Sequence, residues 1–167
     1  MEADHAHIAD WDTLRCVWHP ARVYTIMPPS VRAGHAESVS VTFDPAQVSY
    51  GTLLRIFFSV ALDPTEVNRQ ESDSGTQYRS DLFVSGSEQE RVARAYVAQL
   101  EAAHAFSRPI ATRISLAGAF YPAEAYHQDY LLHHPDSPYI AMFDLPKVRR
   151  LEVLFQEHWR GTAVTVR

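Results

Sequence analysis

The sequence holds one cysteine, Cys16, and that scarcity limits the chemistry open to it. Without a second thiol the chain cannot close an internal disulfide, and a lone thiol suits a reducing, cytoplasmic compartment. No stretch approaches the roughly 18 consecutive apolar residues needed to cross a bilayer, so no membrane partner is expected. Cationic residues are in the minority. Lys and Arg number 15 against 20 Asp and Glu, for a formal net charge of −5, which argues against the basic face of a nucleic-acid binder. The opening Met1-Glu2-Ala3-Asp4-His5 has neither the basic nor the apolar region of a secretory leader. Metal-ligand spacing is missing too. His5-x-His7, His127 and the pair His133-His134 form no His-Glu-x-x-His pattern and have no cysteine beside them. They read as surface or supporting histidines, and no cofactor is expected.

What is present is globular. Hydrophobic residues make up 46% of a 167-residue chain, enough to bury one core. Residues 1 to 33 show no sustained period, and Pro20, Pro28 and Pro29 forbid a long helix there. Beyond them the pattern sharpens. Val39, Val41 and Phe43 alternate with Ser40 and Thr42, predicting a half-buried strand that ends at Asp44-Pro45. Ser49 is placed to cap a helix with Leu53, Phe57, Val60 and Ala61 on one face, stopping near Asp63-Pro64. Residues 63 to 80 read as a long polar loop, a length uncommon in compact domains unless the loop works.

Leu82-Phe83-Val84 predicts a buried strand, and Ser87-Glu88-Gln89-Glu90 a capping box opening a helix with Val92, Tyr96, Leu100 and Ala103 on its stripe. Ile110, Thr112 and Ile114 alternate in a further strand that Gly118 ends, and a short helix is expected over 123–133. Pro146 opens a last amphipathic helix through Val148, Leu151, Leu154 and Phe155. Residues 151–156 spell a hexapeptide that viral proteases cut. Glu157-His158 follows in place of Gly-Pro and the helical period runs through, so the segment reads as native. Interleaved strands and helices predict a single α+β domain of two layers, a central mixed sheet flanked by helices.

Three polar islands interrupt this apolar pattern: Gly34-His35-Ala36-Glu37, Asp73-Ser74-Gly75-Thr76-Gln77-Tyr78-Arg79-Ser80, and residues 120–130. Glu37 precedes an alternating strand, which can carry its carboxyl into a pocket and raise its pKa by desolvation, making it a proton donor. The plainer reading is a solvated loop carboxylate. Tyr78 can offer a phenol to a bound oxygen, or can be a packed aromatic with a satisfied hydroxyl.

With Asn68-Arg69-Gln70 and Phe120-Tyr121-Pro122-Ala123-Glu124-Ala125-Tyr126-His127-Gln128-Asp129-Tyr130, these islands resemble the hallmark stretches of the peptide methionine sulfoxide reductase A (MsrA) family, in the family's order. Pro138-Tyr139-Ile140 and Asp144-Leu145-Pro146-Lys147 are similar to one family variant. The resemblance runs from Gly34 to about Trp159. It implies an MsrA-like, ferredoxin-like-type arrangement and thiol-based reduction of methionine S-sulfoxide, free or in proteins, in protein repair under oxidative stress. It also implies that a cysteine thiolate attacks the sulfoxide sulfur and is left as a sulfenic acid. By the same resemblance Glu37 binds and protonates the leaving oxygen, Tyr78 assists, Asp73 stands beside the pocket and His127 supports it.

The family's nucleophile lies in Gly-Cys-Phe-Trp, and here the counterpart is Arg15-Cys16-Val17-Trp18. The preceding glycine and the aromatic between Cys and Trp are absent, and Cys16 stands nearer to Gly34 than the family pattern has it. The family's Gly-Tyr-(Ala/Thr)-Gly-Gly stretch is missing as well, unless Tyr24 substitutes for its tyrosine. Two readings of Cys16 stay open: nucleophile, with Trp18 as a wall for the substrate methyl, or bystander in a shortened N-terminus. The first gives a one-cysteine reductase recycled by a small thiol or a thioredoxin-like partner. The second gives an impaired binding module that keeps the sulfoxide pocket. The expected organisation is a divergent N-terminal segment, 1–33, an MsrA-like domain, 34–161, and a tail, 162–167.

Overall fold

A computed structural model describes residues 36–121 and 123–161 in full, together with the backbone of two strands nearer the N-terminus. Those strands are β1, Asp4–Ile8, and β2, Arg22–Tyr24. The chain is an α+β protein built on a mixed five-stranded sheet. Its other strands are β3, Ser38–Phe43, β6, Asp81–Val84, and β7, Arg113–Leu116, in the spatial order β2-β3-β1-β6-β7. A separate two-stranded ribbon pairs β4, Arg69–Gln70, with β5, Asp73–Ser74. The main-sheet pairings are antiparallel except β6 with β7, where Leu82 stands opposite Ile114. A parallel pair needs a crossover, and helix α2, Ser87–Ala102, supplies it.

The strand expected from Val39, Val41 and Phe43 is β3, and all three side chains are buried. Ser49 caps helix α1, Tyr50–Ile56, accepting from the Thr52 amide at 3.0 Å. The helix then passes into a π-helical turn, Phe57–Ala61, that the periodicity did not reveal. The wider turn rotates the register, so Phe57, Phe58, Val60 and Ala61 all reach the core. Helix α4, Leu145–Leu154, opens with proline as predicted and buries Leu151, while Phe155 behind its end is also buried. Residues 151–156 therefore belong to the fold. Burying side chains such as Leu53, Phe57, Leu82 and Phe155 contributes about 1.5–3 kcal/mol each. No helix among the described residues is long and apolar enough to cross a membrane.

Several expectations need correction. The capping box does not form as written: Gly86 is the N-cap of α2, and Gln89 Oε1 reaches back to accept from the Ser85 amide at 3.0 Å. Ala103 is exposed, and the buried stripe of α2 runs through Gln89 and Ala93 with Val92, Tyr96 and Leu100 beside it. Leu154 is exposed as well, because α4 turns only Leu151 inward before Phe155. No single helix covers 123–133. A 3-10 turn, Ala125–His127, and the short α3, Tyr130–His133, are separated by Asp129, whose φ of 54° breaks the helical path.

Tyr50 stacks on Phe43 with ring centroids 6.4 Å apart, and its buried hydroxyl has no hydrogen-bond partner among the described residues. Burial pushes its phenol up to about 12. The unfolded chain would ionise near the ordinary value of 10.0, so below that pH this group leaves stability unchanged. Above it the unfolded state sheds a proton that the folded state keeps, and stability falls as pH rises toward 12. Tyr50→Phe should be neutral or stabilising at neutral pH, since it removes an unsatisfied buried hydroxyl. Urea midpoints compared at neutral and strongly alkaline pH should show the variant losing less stability than the parent.

Candidate active site

The loop expected over 63–80 is organised by its own polar groups. Asp63 Oδ1 accepts from the Thr65 amide at 2.8 Å and hydroxyl at 2.6 Å, and its Oδ2 accepts from Arg108 at 3.0 Å. Gln70 bonds the backbone of Asp63 from across the loop, and the β4–β5 ribbon pairs Gln70 with Asp73. A tight turn through Glu71, at φ 53°, thereby delivers Asp73 to a defined position. Gly75 follows at φ 146°, a backbone region that essentially only glycine enters. Its amide donates to the Asn68 carbonyl at 2.9 Å and its carbonyl accepts from the Tyr78 amide at 3.0 Å. The result is a 3-10 turn, Thr76–Tyr78, carrying the tyrosine.

Arg79 fixes this turn to the sheet. Its guanidinium donates to the Thr76 carbonyl at 3.0 Å and to Asp81 Oδ2 at 3.0 Å. The Asp81 side chain is 2% exposed, and its other oxygen accepts from Ser115 at 2.8 Å on the neighbouring strand. The Ser80 hydroxyl bonds that of Thr112 at 2.7 Å. The turn thus stands on β6 and β7 through charge-assisted and neutral hydrogen bonds.

Glu37 reaches the same place from the other side of the sequence. Its amide donates to the Gln77 carbonyl at 3.0 Å, joining the residue before β3 to the turn that carries Tyr78. Glu37 also shares the parity of Val39, Val41 and Phe43, which face the core. Tyr78 registers both carboxylates. Its half-buried phenol is pushed up first by burial, then by the negative charges of Glu37 and Asp73, with a hydrogen bond from the Gln77 side chain pulling the other way. At neutral pH this phenol is a hydrogen-bond donor. The structure therefore brings Glu37, Asp73 and Tyr78 together.

A residue missed as a site candidate is Tyr139, whose hydroxyl donates to Asp73 Oδ2 at 2.7 Å. The ring of Phe143 packs on Tyr139 with centroids 4.9 Å apart. The two bonded residues stand 66 positions apart, and the only signal was that Pro138-Tyr139-Ile140 fits a family variant. His127 is held in its own turn, with Nε2 3.9 Å from Glu124 and its ring against Tyr126 at 4.2 Å. Cys16 and Trp18 lie outside the described residues. No group of three or more His, Cys, Asp or Glu that could hold a metal occurs among the described residues.

The family model for peptide methionine sulfoxide reductase matches residues 28–159. A Synechocystis protein named peptide methionine sulfoxide reductase MsrA 2 is 53% identical over 123 residues, covering 74% of this chain and 58% of the relative. A Mesorhizobium japonicum protein of the same name is 52% identical, over 74% of this chain and 64% of its own length. MsrA of Deinococcus radiodurans is 47% identical, over 77% and 62% respectively. The chain thus spans about three fifths of these curated relatives. Among solved structures, reduced Mxr1 from Saccharomyces cerevisiae superposes with a TM-score of 0.64 at 26% identity, covering 81% of this chain and 88% of Mxr1. Methionine sulfoxide reductase A of Corynebacterium diphtheriae gives 0.60 at 27% identity, over 81% and 76%.

Two substitutions probe the geometry. A Cβ at Gly75 would overlap Gln77 Oε1 and stand 2.8 Å from its Cδ, besides straining the backbone. Gly75→Ala should cost about 1–3 kcal/mol in denaturant unfolding. Gly118→Ala, whose Cβ would meet nothing within 4 Å, serves as the silent control. Asp81→Ala leaves the partly buried Arg79 guanidinium without its carboxylate, and should cost up to about 3 kcal/mol by the same measurement.

Proposed function

Because this chain belongs to the peptide methionine sulfoxide reductase family, we propose that it reduces the S-epimer of methionine sulfoxide, free or within proteins, by thiol chemistry. The observation that carries this reading is that Glu37 and Asp73, from separate stretches of sequence, both act on Tyr78, Glu37 being bonded through its amide to the turn that carries the tyrosine. A sulfoxide oxygen is a strong acceptor and a poor leaving group. A carboxyl and a phenol side by side are suited to bind it and to supply its proton.

In this reading the Cys16 thiolate attacks the sulfoxide sulfur while Glu37 delivers a proton to oxygen, with Tyr78 donating a second hydrogen bond. The net change moves one oxygen from the methionine sulfur to Cys16. Methionine gains two electrons, and Cys16 loses two to become a sulfenic acid. Trp18 packs on the substrate methyl, Asp73 borders the oxygen site and His127 supports the segment beside it. One external thiol then displaces water from the sulfenic acid, giving a mixed disulfide, and a second thiol frees Cys16. A dithiol of thioredoxin type or a small thiol satisfies that need, and a cytoplasmic setting suits it.

The finer architecture belongs to the same proposal: residues 34–161 as one two-layer, ferredoxin-like domain with an altered segment, 1–33, ahead of it and a tail, 162–167. The changed nucleophile stretch sets the expected rate. Without the glycine before Cys16, the aromatic after it and one donor tyrosine, turnover should fall well below that of a relative with the whole motif. Losing one oxygen-binding donor alone costs on the order of a hundredfold or more.

The deciding experiment compares the parent with Cys16→Ser, using methionine S-sulfoxide and a dithiol. Product is expected from the parent and none from the variant, while Glu37→Gln should lower the rate by roughly a hundredfold. Without reductant, mass spectrometry after one equivalent of substrate should find a single added oxygen on Cys16. Equal product from parent and variant would make Cys16 a bystander. Binding without product in either protein would establish a pocket that has lost its nucleophile.

A further inference from the structure

A cavity of about 450 Å³, with none of Glu37, Asp73 and Tyr78 in its lining, lies between the loop over 63–80, the segment 106–108 and helix α4. Its volume is within the range of small-molecule sites. Phe58, Phe106, Met142 and Phe143 supply apolar wall. The Phe143 wall is the ring that packs on Tyr139, so the cavity backs onto the support of Asp73.

Charge at this cavity is uneven. Arg108, Lys147 and Arg150 line it against only two carboxylates, Asp63 and Glu71, leaving one excess positive charge in a chain of net charge −5. Two of the cations are committed: Arg108 to Asp63 at 3.0 Å, and Lys147, only 13% exposed, to Glu71 at 3.4 Å. Arg150 is exposed and has no carboxylate partner among the described residues. A guanidinium facing an apolar cavity suits a planar anion, which it can bind through two parallel hydrogen bonds.

We propose that this cavity is a second binding site, for a small organic monoanion with an aromatic or branched apolar body. The body packs on the phenylalanines and the methionine, and the carboxylate meets Arg150. Both parts are needed. A neutral ligand leaves the cation unmatched, while an inorganic anion leaves the apolar wall wet.

The proposal uses none of the residues assigned to the sulfoxide, so its test omits the sulfoxide. The full chain is titrated with 2-naphthoate, binding being read by fluorescence at low ionic strength, and 2-naphthamide serves as a neutral mimic of the same shape. Saturable binding at one site is expected, weakened roughly tenfold or more by Arg150→Glu and, on the parent chain, by exchange of the carboxylate for the amide. Absence of saturable binding, equal affinity for the amide, or unchanged affinity in Arg150→Glu each overturns the proposal. Because the amide comparison uses the unaltered chain, the outcome does not hang on how the variant folds.

Discussion

The buried ion pair between Arg79 and Asp81 is the constraint on which the geometry around Tyr78 rests. A charge buried without a partner is costly, so Asp81, at 2% exposure, is tolerable only with its acceptor oxygens matched. Arg79 meets one and Ser115 the other, and the same guanidinium closes the turn through the Thr76 carbonyl. One cation thereby ties the start of β6 to the turn and the tyrosine on it. Glu37 depends on this in turn, because the carbonyl that receives its amide belongs to Gln77 within the turn. The catalytic arrangement proposed for Glu37 and Tyr78 therefore rests on backbone held in place.

The elements legible in the sequence were those with a sustained period and a local signal. Strand β3 alternates over its whole length, Ser49 caps where a serine should, and Pro146 opens the last helix. Strands of two residues have no period to read, which is why the β4–β5 ribbon passed as loop. The π-helical turn after α1 escaped notice for another reason: it preserves an apolar run while changing the register. At the start of α2, four polar residues in a row offered two capping schemes, and glycine as N-cap with Gln89 reaching back was the one adopted.

The site was legible to a different degree. Physical reading alone gave Glu37 and Tyr78 ordinary alternatives, a solvated carboxylate and a packed ring. The resemblance singled them out, and the folded chain brings them together with Asp73. Tyr139 could not be found by spacing, since no local rule links a hydroxyl to a carboxylate 66 positions away. Such contacts become visible only when the ribbon has placed Asp73 and the segment around Ile140 has been laid beside it.

This order of construction explains why the C-terminal segment belongs with the loop over 63–80. Lys147 holds Glu71 at 3.4 Å and Tyr139 holds Asp73 at 2.7 Å, so one attachment grips the ribbon's tight turn and the other its second strand. Neither pair is worth much by itself at a partly exposed surface, where an ion pair or hydrogen bond contributes about 1 kcal/mol. Their effect is geometric. A two-stranded ribbon is marginal when isolated, and Asp73 sits on its second strand. Anchoring the turn and the strand after it holds the carboxylate near Tyr78, where its charge opposes ionisation of the phenol. Arg79 and Asp81 fix the tyrosine, whereas the C-terminal segment fixes the acid beside it, whose charge adds to the upward push that burial gives the phenol.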